Sequence, residues 1–412
     1  MNIRKIVFWL HLTAGCLAGA VILIMSVTGV LLAYERQILN WVDRAVRSTP
    51  PTANAARMPV DTMIAGAVEQ YGMPPTAITL RADPAAPAEV SFGRQHVALV
   101  DTYSGRVLGE SSQAARSFFQ KVEAWHRWLG VSDEHRATGR VFTGACNLAF
   151  LFIVISGPFL WLPRKWTAQS VKAIAWFRGG LSGKARDFNW HNVIGIWSAL
   201  PLVVIVGSAV VMSYPWANNL VYRLTGSELP VQNGPRGEGP QRQGRGARPE
   251  AARAERAGTE GEGQHAAKLQ PLFARAEQQL PDWRSITLRP PMSGRGPMTF
   301  TIDTGDGGRP DQRAQLTLNR NTADVIRWEP FSSYNTGRRV RAWLRFLHTG
   351  EAGGVAGETV AGIATAGAVV LVWTGIWLAC RRLGRKLGRQ NGGKPEREQA
   401  KTERYEQVSA RS

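Results

Sequence analysis

Four stretches of the sequence are apolar over a length that can cross a bilayer. A spanning helix needs roughly 20 apolar residues, and the first stretch, which ends at Tyr34, exceeds this length. It is too long for the core of a signal peptide and has no small-x-small cleavage site, so we expect a retained helix. The predicted membrane helices lie within residues 1–34, 141–163, 190–214 and 355–380.

The first and third apolar stretches follow the same pattern. His11 lies 23 positions before Tyr34, and His191 lies 23 positions before Tyr214. Small residues occupy the fourth and eighth positions after each histidine, on the same helix face as the histidine. These small residues are Gly15, Gly19, Gly195 and Ala199. They let a neighbouring helix or a flat macrocycle approach the backbone closely.

The segments between these helices, residues 35–140 and 215–354, also resemble each other. The first carries a helical stretch, VDTMIAGAVEQYG, and then alternating runs such as ITLRAD and AEVSFG. The second carries LQPLFARAEQQLPD and then SITLRPP and MTFTIDTG. Alternation of this kind, broken by Asp, Pro and Gly, predicts strands. We therefore expect two repeats, each made of a helix, a small α+β domain and a second helix.

Positive charge is in excess, with 50 Lys and Arg against 31 Asp and Glu and a net charge of +19. Such a balance suits nucleic acid or a membrane surface. Here the positive residues cluster before the first helix, in residues 164–189 and in residues 381–412, at the ends of apolar helices. The positive-inside rule then puts both termini in the cytoplasm and both α+β domains outside the inner membrane. We expect the lipid bilayer as a partner, and no nucleic acid.

Residues 227–268 differ from the rest of the second outer segment. They contain almost no large apolar residues and are rich in Gly, Arg, Pro and Glu. Such a composition buries too little apolar surface to offset the entropy of ordering, so it predicts a disordered insertion. The polar tail after Gly388 is predicted to be mobile. An RNA-binding interpretation of the Arg- and Gly-rich tract conflicts with its expected position outside the cell.

Several common kinds of site have no motif in the chain. The three cysteines lie in separate segments without Cys-x-x-Cys-His spacing. We therefore expect no disulfide framework, no covalent haem, and no zinc or iron–sulfur site built on cysteines. The stretch FRGGLSGKARD does not join a strand to a helix, so stable binding of a dinucleotide is not predicted. A hydrolase is disfavoured because neither a nucleophile elbow nor His-Glu-x-x-His is found.

Five of the seven histidines flank the predicted membrane helices, and these are the candidate site residues. His11 and His191 lie near the inner ends of the first and third helices. His126 and His348 lie on the outer side, shortly before the second and fourth helices. His135 is closer to the second helix but in a more polar stretch, and it is a lower-ranked alternative to His126.

Paired imidazoles at membrane depth suit a haem iron. Ionisable residues there are costly and mark function by default, and two neutral imidazoles complete the six-coordinate shell of haem iron. The pattern predicts one b-type haem between His11 and His191 and a second between His126 and His348. Two alternatives stay open: interfacial histidines bonded to backbone or lipid, or a zinc or copper site with an added Cys, Asp or Glu.

The full set of motifs resembles a known family. Eight motifs carry the likeness. They are the helix starts WLHLTAGCLAG and WHNVIGIWSA, the pieces WHRWLG and FLHTGE, the helix ends ISGPFLWLPRK and WTGIWLACRR, and the outer pieces ALVDTYSGRVLG and LTLNRNTADVI. They are similar to PepSY-associated transmembrane proteins, also called iron-regulated membrane proteins, and most similar to inner-membrane siderophore reductases of the ferrioxamine reductase type. The resemblance implies a mainly α membrane protein: a four-helix transmembrane bundle from two helix–PepSY domain–helix repeats, with two small α+β extracytoplasmic domains.

The resemblance also implies a function. Such reductases hold haem between histidines of these helices and reduce ferric iron of siderophores outside the membrane, which carries over to His11, His191, His126 and His348 by motif position. The expected activity is a ferric-siderophore reductase, with a quinol, a reduced flavin or a separate protein as electron donor. PepSY domains are also associated with peptidase inhibition, so a haem-free membrane-anchored interaction protein or peptidase regulator is the alternative. A permease is disfavoured because few polar residues besides the histidines are buried.

Overall fold

The computed structural model describes residues 2–52, 55–163, 166–229, 268–291 and 294–391. These residues form two compact units, a helical unit and a sheet unit. The predicted disordered insertion and the predicted mobile tail lie almost entirely outside the described residues. The helical unit takes its described residues from Met1–Trp41, Ala114–Leu220 and Arg341–Ser412, and the sheet unit from Val42–Gln113 and Val221–Val340.

Helices make up most of the described chain. In chain order they are α1 (Ile3–Ala33), α2 (Glu35–Asp43), α3 (Val60–Tyr71), α4 (Gln113–Trp128), α5 (Arg136–Trp161), α6 (Ala168–Ala175), α7 (Gly183–Ser213), α8 (Pro215–Leu224), α9 (Leu269–Gln279), α10 (Thr336–Thr349) and α11 (Gly354–Asn391). Four spans that contain α1, α5, α7 and α11 are long and apolar enough to cross a membrane, which confirms the four predicted helices. Two of these helices, α5 and α7, begin several residues earlier than predicted, because polar residues continue each helix at that end.

The four long helices pack in a ring, each against two neighbours, in the order α1, α5, α7, α11 and back to α1. Tyrosines near the ends of α1 and α7 fit against glycines. A Cβ on Gly362 would lie 2.8 Å from the hydroxyl of Tyr34, and a Cβ on Gly144 would lie 2.9 Å from the hydroxyl of Tyr214. Small residues at these contacts let the helices approach closely, as expected for packing in a membrane.

The described residues of the sheet unit form eight strands in one antiparallel sheet. They are β1 (Ala77–Arg81), β2 (Ala88–Phe92), β3 (His96–Val100), β4 (Val107–Glu110), β5 (Ser285–Arg289), β6 (Met298–Asp303), β7 (Arg313–Leu318) and β8 (Val325–Pro330). Their order across the sheet is β4-β3-β2-β1-β5-β6-β7-β8. The central strands β1 and β5 share the sequence ITLR and pair antiparallel, with Thr79 opposite Thr287.

Alternation along the strands gives the sheet one apolar and one polar face. Ile78, Leu80, Ile286 and Leu288 point to the same side and are almost completely buried against α3 and α9. Threonines alternate with them, and the hydroxyls of Thr79 and Thr287 lie 3.0 Å apart on the other side. The core of the unit therefore draws on both outer segments of the chain.

The helices α3 and α9 also cap each other. The carboxylate of Asp61 accepts hydrogen bonds from the backbone N–H groups of Leu269, at 2.7 Å, and Gln270, at 2.8 Å. The side-chain oxygen of Gln270 accepts one from the N–H of Val60, at 2.8 Å. Each helix thus satisfies backbone donors that the first turn of the other leaves without a partner.

The structure differs here from the expectation of two small α+β domains. Both outer segments enter one sheet and one core. The physical reason lies in the strand edges. A four-stranded half would leave the N–H and C=O groups along one side of β1 or β5 unpaired, and an unpaired edge is a liability. The β1–β5 pairing removes both of these edges.

Candidate functional site

His11 and His191 line one cavity inside the helical unit. The cavity has a volume of about 1660 Å³, and residues of α1, α5, α7 and α11 line it. Its walls are mainly apolar, with Phe8, Leu12 and Phe150 among them. Four cations also line it, Arg4, Lys5, Lys184 and Arg382. The small residues predicted to lie beside the histidines, Gly15, Gly19, Gly195 and Ala199, are part of its wall.

A hydroxyl from a neighbouring helix holds each of these two rings. The Nδ1 atom of His11 lies 2.8 Å from the Oγ atom of Ser156 in α5. The Nδ1 atom of His191 lies 2.8 Å from the Oγ1 atom of Thr374 in α11. Both rings are therefore fixed through the same nitrogen, and in both the Nε2 atom makes no hydrogen bond to any described residue.

His126 and His348 are held in the same way. The Nδ1 atom of His126, in α4, lies 3.0 Å from the Oγ1 atom of Thr28 in α1. The Nδ1 atom of His348, in α10, lies 2.8 Å from the carbonyl oxygen of Ile205 and 3.3 Å from the Oγ atom of Ser208, both in α7. Their ring centroids are 6.4 Å apart. The structure thus brings these two predicted ligands together.

The hydrogen bonds of the hydroxyls favour one tautomer of the rings. Each hydroxyl donates its own hydrogen to a carbonyl three or four residues earlier in its helix. Ser156 donates to Ile153, Thr374 to Val370, Thr28 to Ile24 and Ser208 to Ile205. The hydroxyl oxygen then accepts, so Nδ1 carries the ring hydrogen. A neutral imidazole in that form has a free lone pair on Nε2, which is the form that binds a metal.

His135 is placed differently from the four paired histidines. It is exposed at the end of a short 3-10 turn, Asp133–His135, and its Nδ1 atom lies 3.1 Å from the Oγ atom of Ser132. His126, and not His135, lies beside His348. His96, in strand β3, is also partly exposed, with its Nδ1 atom 3.4 Å from the carboxylate of Glu110.

Sequence reasoning missed the hydroxyl partners, whose sequence pattern also occurs at other positions, such as Thr143-Gly144 and Ser198-Ala199. In each long helix the partner is a Ser or Thr followed directly by a small residue: Ser156-Gly157, Thr374-Gly375, Thr28-Gly29 and Ser208-Ala209. All three glycines face a histidine ring. A Cβ on Gly375 would lie 3.3 Å from the Cε1 atom of His191, and one on Gly29 would lie 3.3 Å from that of His126. The pair of residues supplies both a hydrogen-bond acceptor and room for an imidazole.

Trp161 is a second residue whose place was not foreseen. It lines the cavity and meets the ring of His191 edge-on, with centroids 6.0 Å apart. It lies directly over Gly195, where a Cβ would overlap it. Arg4 fixes the end of α5 nearby, because its guanidinium donates to the carbonyl oxygen of Leu162 at 2.7 Å and also to that of Leu160.

A buried carboxylate lies elsewhere in the bundle. Glu358 of α11 is almost completely buried and pairs with Arg36, with an N–O distance of 3.1 Å. The side-chain amide of Gln37 also donates to it. The charge of Glu358 is therefore both paired and hydrogen-bonded within the bundle, as a buried carboxylate requires.

Comparison with known families decides the identity of the chain. The model of the PepSY-associated TM region matches residues 8–397. The chain belongs to the PepSY-associated transmembrane family. A comparison with curated proteins finds no match. Family membership and the four long apolar helices make this a membrane protein.

The residues of this PepSY-associated transmembrane protein fit a haem. Among the described residues, no three His, Cys, Asp or Glu side chains gather into a metal-binding group. Two imidazoles with free Nε2 atoms leave the rest of a coordination sphere to be supplied, and a porphyrin supplies four nitrogens. Apolar walls suit the ring of a haem, and Lys5, Lys184 and Arg382 suit its carboxylates.

Proposed function

We propose that this protein is a haem-containing electron conduit that reduces ferric iron of siderophores outside the inner membrane and so releases Fe(II) for uptake. Two pairs of histidines, His11 with His191 and His126 with His348, would each hold one b-type haem. The observation that carries the proposal is the common orientation of the four rings, each held through Nδ1 by a hydroxyl or carbonyl of another helix.

The haem supplies the one-electron chemistry when it is bound. The chain's own residues position and protect it. The hydroxyls of Ser156, Thr374, Thr28 and Ser208 fix the tautomer and the plane of each imidazole, which raises its basicity as a ligand. The mainly apolar walls of the cavity would surround the ring of the haem held by His11 and His191. Each pair of imidazoles would hold one haem through its two Nε2 atoms, and the haem would supply one-electron transfer there.

Reduction would release the metal for a simple chemical reason. Hard oxygen donors such as hydroxamates bind small, highly charged Fe(III) strongly and hold Fe(II) far less well. A protein that delivers one electron to the chelate therefore needs to position it only briefly. This argument supports a ferric siderophore as the substrate, received on the side of the His126–His348 pair.

The orientation of the chain in the membrane and its internal repeat are part of the same proposal. We place both termini in the cytoplasm and the sheet unit outside, because the positive clusters lie beside the corresponding helix ends. We also interpret the chain as two helix–PepSY–helix repeats. The shared ITLR strands support this, as do Thr28 and Ser208, which both lie 17 positions after the first histidine of their helix.

The alternative is a haem-free membrane anchor that presents its PepSY segments to a partner protein. It would leave four imidazoles oriented alike without a ligand. Buried polar groups inside a membrane are costly, so the common orientation favours the haem proposal.

The test is a visible spectrum of the full-length protein, purified in detergent after expression with added haem, before and after reduction with dithionite. We expect six-coordinate low-spin bands and two haems per chain. His11→Ala and His348→Ala should each lower the haem content by about half, while His135→Ala, the matched control, should leave it unchanged. Protein that contains no haem would overturn the proposal.

A further inference from the structure

We propose that the short helices α4 and α10 lie flat in the membrane interface, each with one face against the phospholipid acyl chains. The partner of this face is a lipid surface, in the leaflet at the end of the bundle that carries His126 and His348. The inference goes beyond the proposed function, because it depends on the membrane location of the chain and not on haem.

Both helices expose large apolar side chains along one face. In α4, the exposed fractions are 49% for Phe118 and 48% for Trp125. In α10, they are 36% for Val340 and 41% for Leu347. Residues seven positions apart lie on the same side of a helix, so each pair forms an apolar stripe. Large apolar side chains that are exposed together mark a surface that contacts a partner or a membrane.

The opposite face of each helix is charged. In a helix with 3.6 residues per turn, a residue two positions earlier lies about 200° further round. The positions two before the stripe residues hold Arg116 and Glu123 in α4, and Arg338 and Arg345 in α10. An apolar stripe opposite a charged face is the pattern of a helix that lies at the boundary between acyl chains and headgroups.

The stripe of α4 is not the face that packs against the long helices. Phe119 and Val122 are buried on a different side of α4. His126 follows on that side, and its ring contacts Thr28 of α1. The helix is therefore already anchored in the bundle, and the stripe is left over for another contact.

The stripes occupy the same positions relative to the paired histidines. Each begins eight residues before the histidine and ends one residue before it, so Trp125 precedes His126 and Leu347 precedes His348. Each helix thus points an imidazole into the bundle and the preceding side chain away from it. Apolar residues that are exposed singly are common on protein surfaces, but the same two positions in two helices form a pattern.

The stripes adjoin a part of the protein that the bilayer already surrounds. The helix α4 leads into α5, and α10 leads into α11, which are two of the long apolar helices. At the same end of the bundle, α2 directly follows α1 and α8 directly follows α7, and each exposes a tryptophan, Trp41 or Trp216. Tryptophan is enriched where acyl chains meet headgroups. This continuity favours lipid over a partner protein.

Positive charge near the stripes suits the phosphate groups of the lipids. The helix α10 contains four arginines and no acidic residue. In α4, the exposed Lys121 lies between Phe118 and Trp125 along the chain and beside their stripe. A lysine placed in this way lays its apolar stem along the stripe and keeps its ammonium group at the level of the phosphates.

The experiment measures the surroundings of single fluorescent labels on the full-length protein in phospholipid nanodiscs. The native cysteines are first removed by Cys16→Ser, Cys146→Ser and Cys380→Ser. Phe118→Cys and Val340→Cys then place a label on the stripes, and Glu123→Cys and Arg345→Cys place one on the opposite faces as matched controls. Two quenchers are compared: a phospholipid with a nitroxide near the top of its acyl chain, and iodide in the water.

We expect the lipid nitroxide to quench the stripe labels about two-fold more than the control labels, because the apolar face of such a helix is buried roughly 5–10 Å into the boundary between headgroups and acyl chains. Iodide should show the reverse order. If Phe118→Cys lowers the unfolding temperature and does not fold, Ala114→Cys, four positions earlier on the same exposed face, reports the same contact.

The other outcomes would overturn the inference. Equal quenching of all four labels by iodide would mean that both helices stand in water. Weak quenching of the stripe labels by both quenchers would mean that protein, either a second copy of this chain or another partner, covers the stripes. The readout needs no haem, so a protein without haem would end the reductase proposal and leave this test intact.

Discussion

The Nδ1 atom of His348 lies 2.8 Å from the carbonyl oxygen of Ile205, which is 143 residues earlier in the chain. A carbonyl can only accept, so this contact fixes the hydrogen of the ring on Nδ1 without reference to any hydroxyl. The other three histidines reach the same state through Ser or Thr. All four rings, on four different helices, therefore carry their hydrogen on Nδ1. Variants that each remove one hydroxyl oxygen test this arrangement.

Thr374→Val removes the hydroxyl that orients His191 and keeps the shape of the side chain. We expect the affinity for haem at the His11–His191 site to fall ten- to a hundred-fold, the usual effect of losing such a partner. Thr374→Ser should retain most of the affinity. The measurement is a haem titration of haem-depleted protein followed by absorbance. Thr359→Val, at a partly exposed threonine of the same helix that bonds its own backbone, should bind like wild type; a loss there would contradict the assignment.

Gly195→Ala tests the close contact with Trp161. The added methyl group would overlap the indole ring, and overpacking of this kind costs about 1–3 kcal/mol. We therefore expect a lower unfolding temperature in detergent, restored when Trp161→Leu is added. Gly207→Ala is the control in the same helix, because a Cβ there meets no atom within 4 Å. Equal unfolding temperatures for both alanine variants would refute the contact.

Asp61→Ala tests the mutual capping of α3 and α9. It removes the acceptor of the Leu269 and Gln270 N–H groups, and loss of a capping side chain costs about 0.5–2 kcal/mol. We expect faster amide hydrogen exchange at the start of α9 and a lower stability of the sheet unit. Glu69→Ala, at an exposed position in α3, should leave both unchanged. The idea fails if exchange at α9 is the same in the two variants.

Glu277→Gln tests a pH effect in the sheet unit. Burial raises the pKa of Glu277 above its ordinary value of 4.5, and nearby Arg57 opposes the rise. Because the folded pKa exceeds the unfolded one, the stability linked to this group is present at low pH and is lost as the pH rises through the raised pKa. The variant should therefore be more stable than wild type at about pH 7 and equal to it at about pH 3.5. Thermal unfolding at both values measures this; a constant difference would contradict it.

The long membrane helices could be predicted because soluble proteins rarely contain about 20 apolar residues in a row. The histidine pairs could be proposed because a histidine is rare at that depth. The hydroxyl partners of the rings could not be predicted, because any Ser or Thr in a membrane helix can hydrogen-bond to its own backbone. Only the fold shows which of these hydroxyls also contacts a histidine ring. Trp161 shows the same limit: nothing in the sequence links it to Gly195, and only the fold brings its ring over that glycine.

The strands were predictable from alternation, but their assembly was not. ITLR at β1 and β5 marks each as a strand with one apolar face. It carries no information about whether each edge pairs with the other, with a second molecule or with nothing. The joining of the two halves depends on the shared core, in which Ile78 and Leu288 lie opposite each other. The short amphipathic helices α4 and α10 were missed because arginines interrupt their apolar positions.

The pairing of β1 with β5 also determines when the sheet can be completed during biosynthesis. Thr79 and Thr287, neighbours in the finished sheet, are 208 residues apart in the chain. At about 5–20 residues per second, a ribosome takes roughly 10–40 s to make the chain between them. Throughout that interval β1 is an open edge that a second nascent chain can capture. When several ribosomes translate one messenger RNA, pairing of β1 with a neighbouring nascent chain therefore competes with pairing of β1 with β5. Slower translation lengthens the interval and favours pairing between chains.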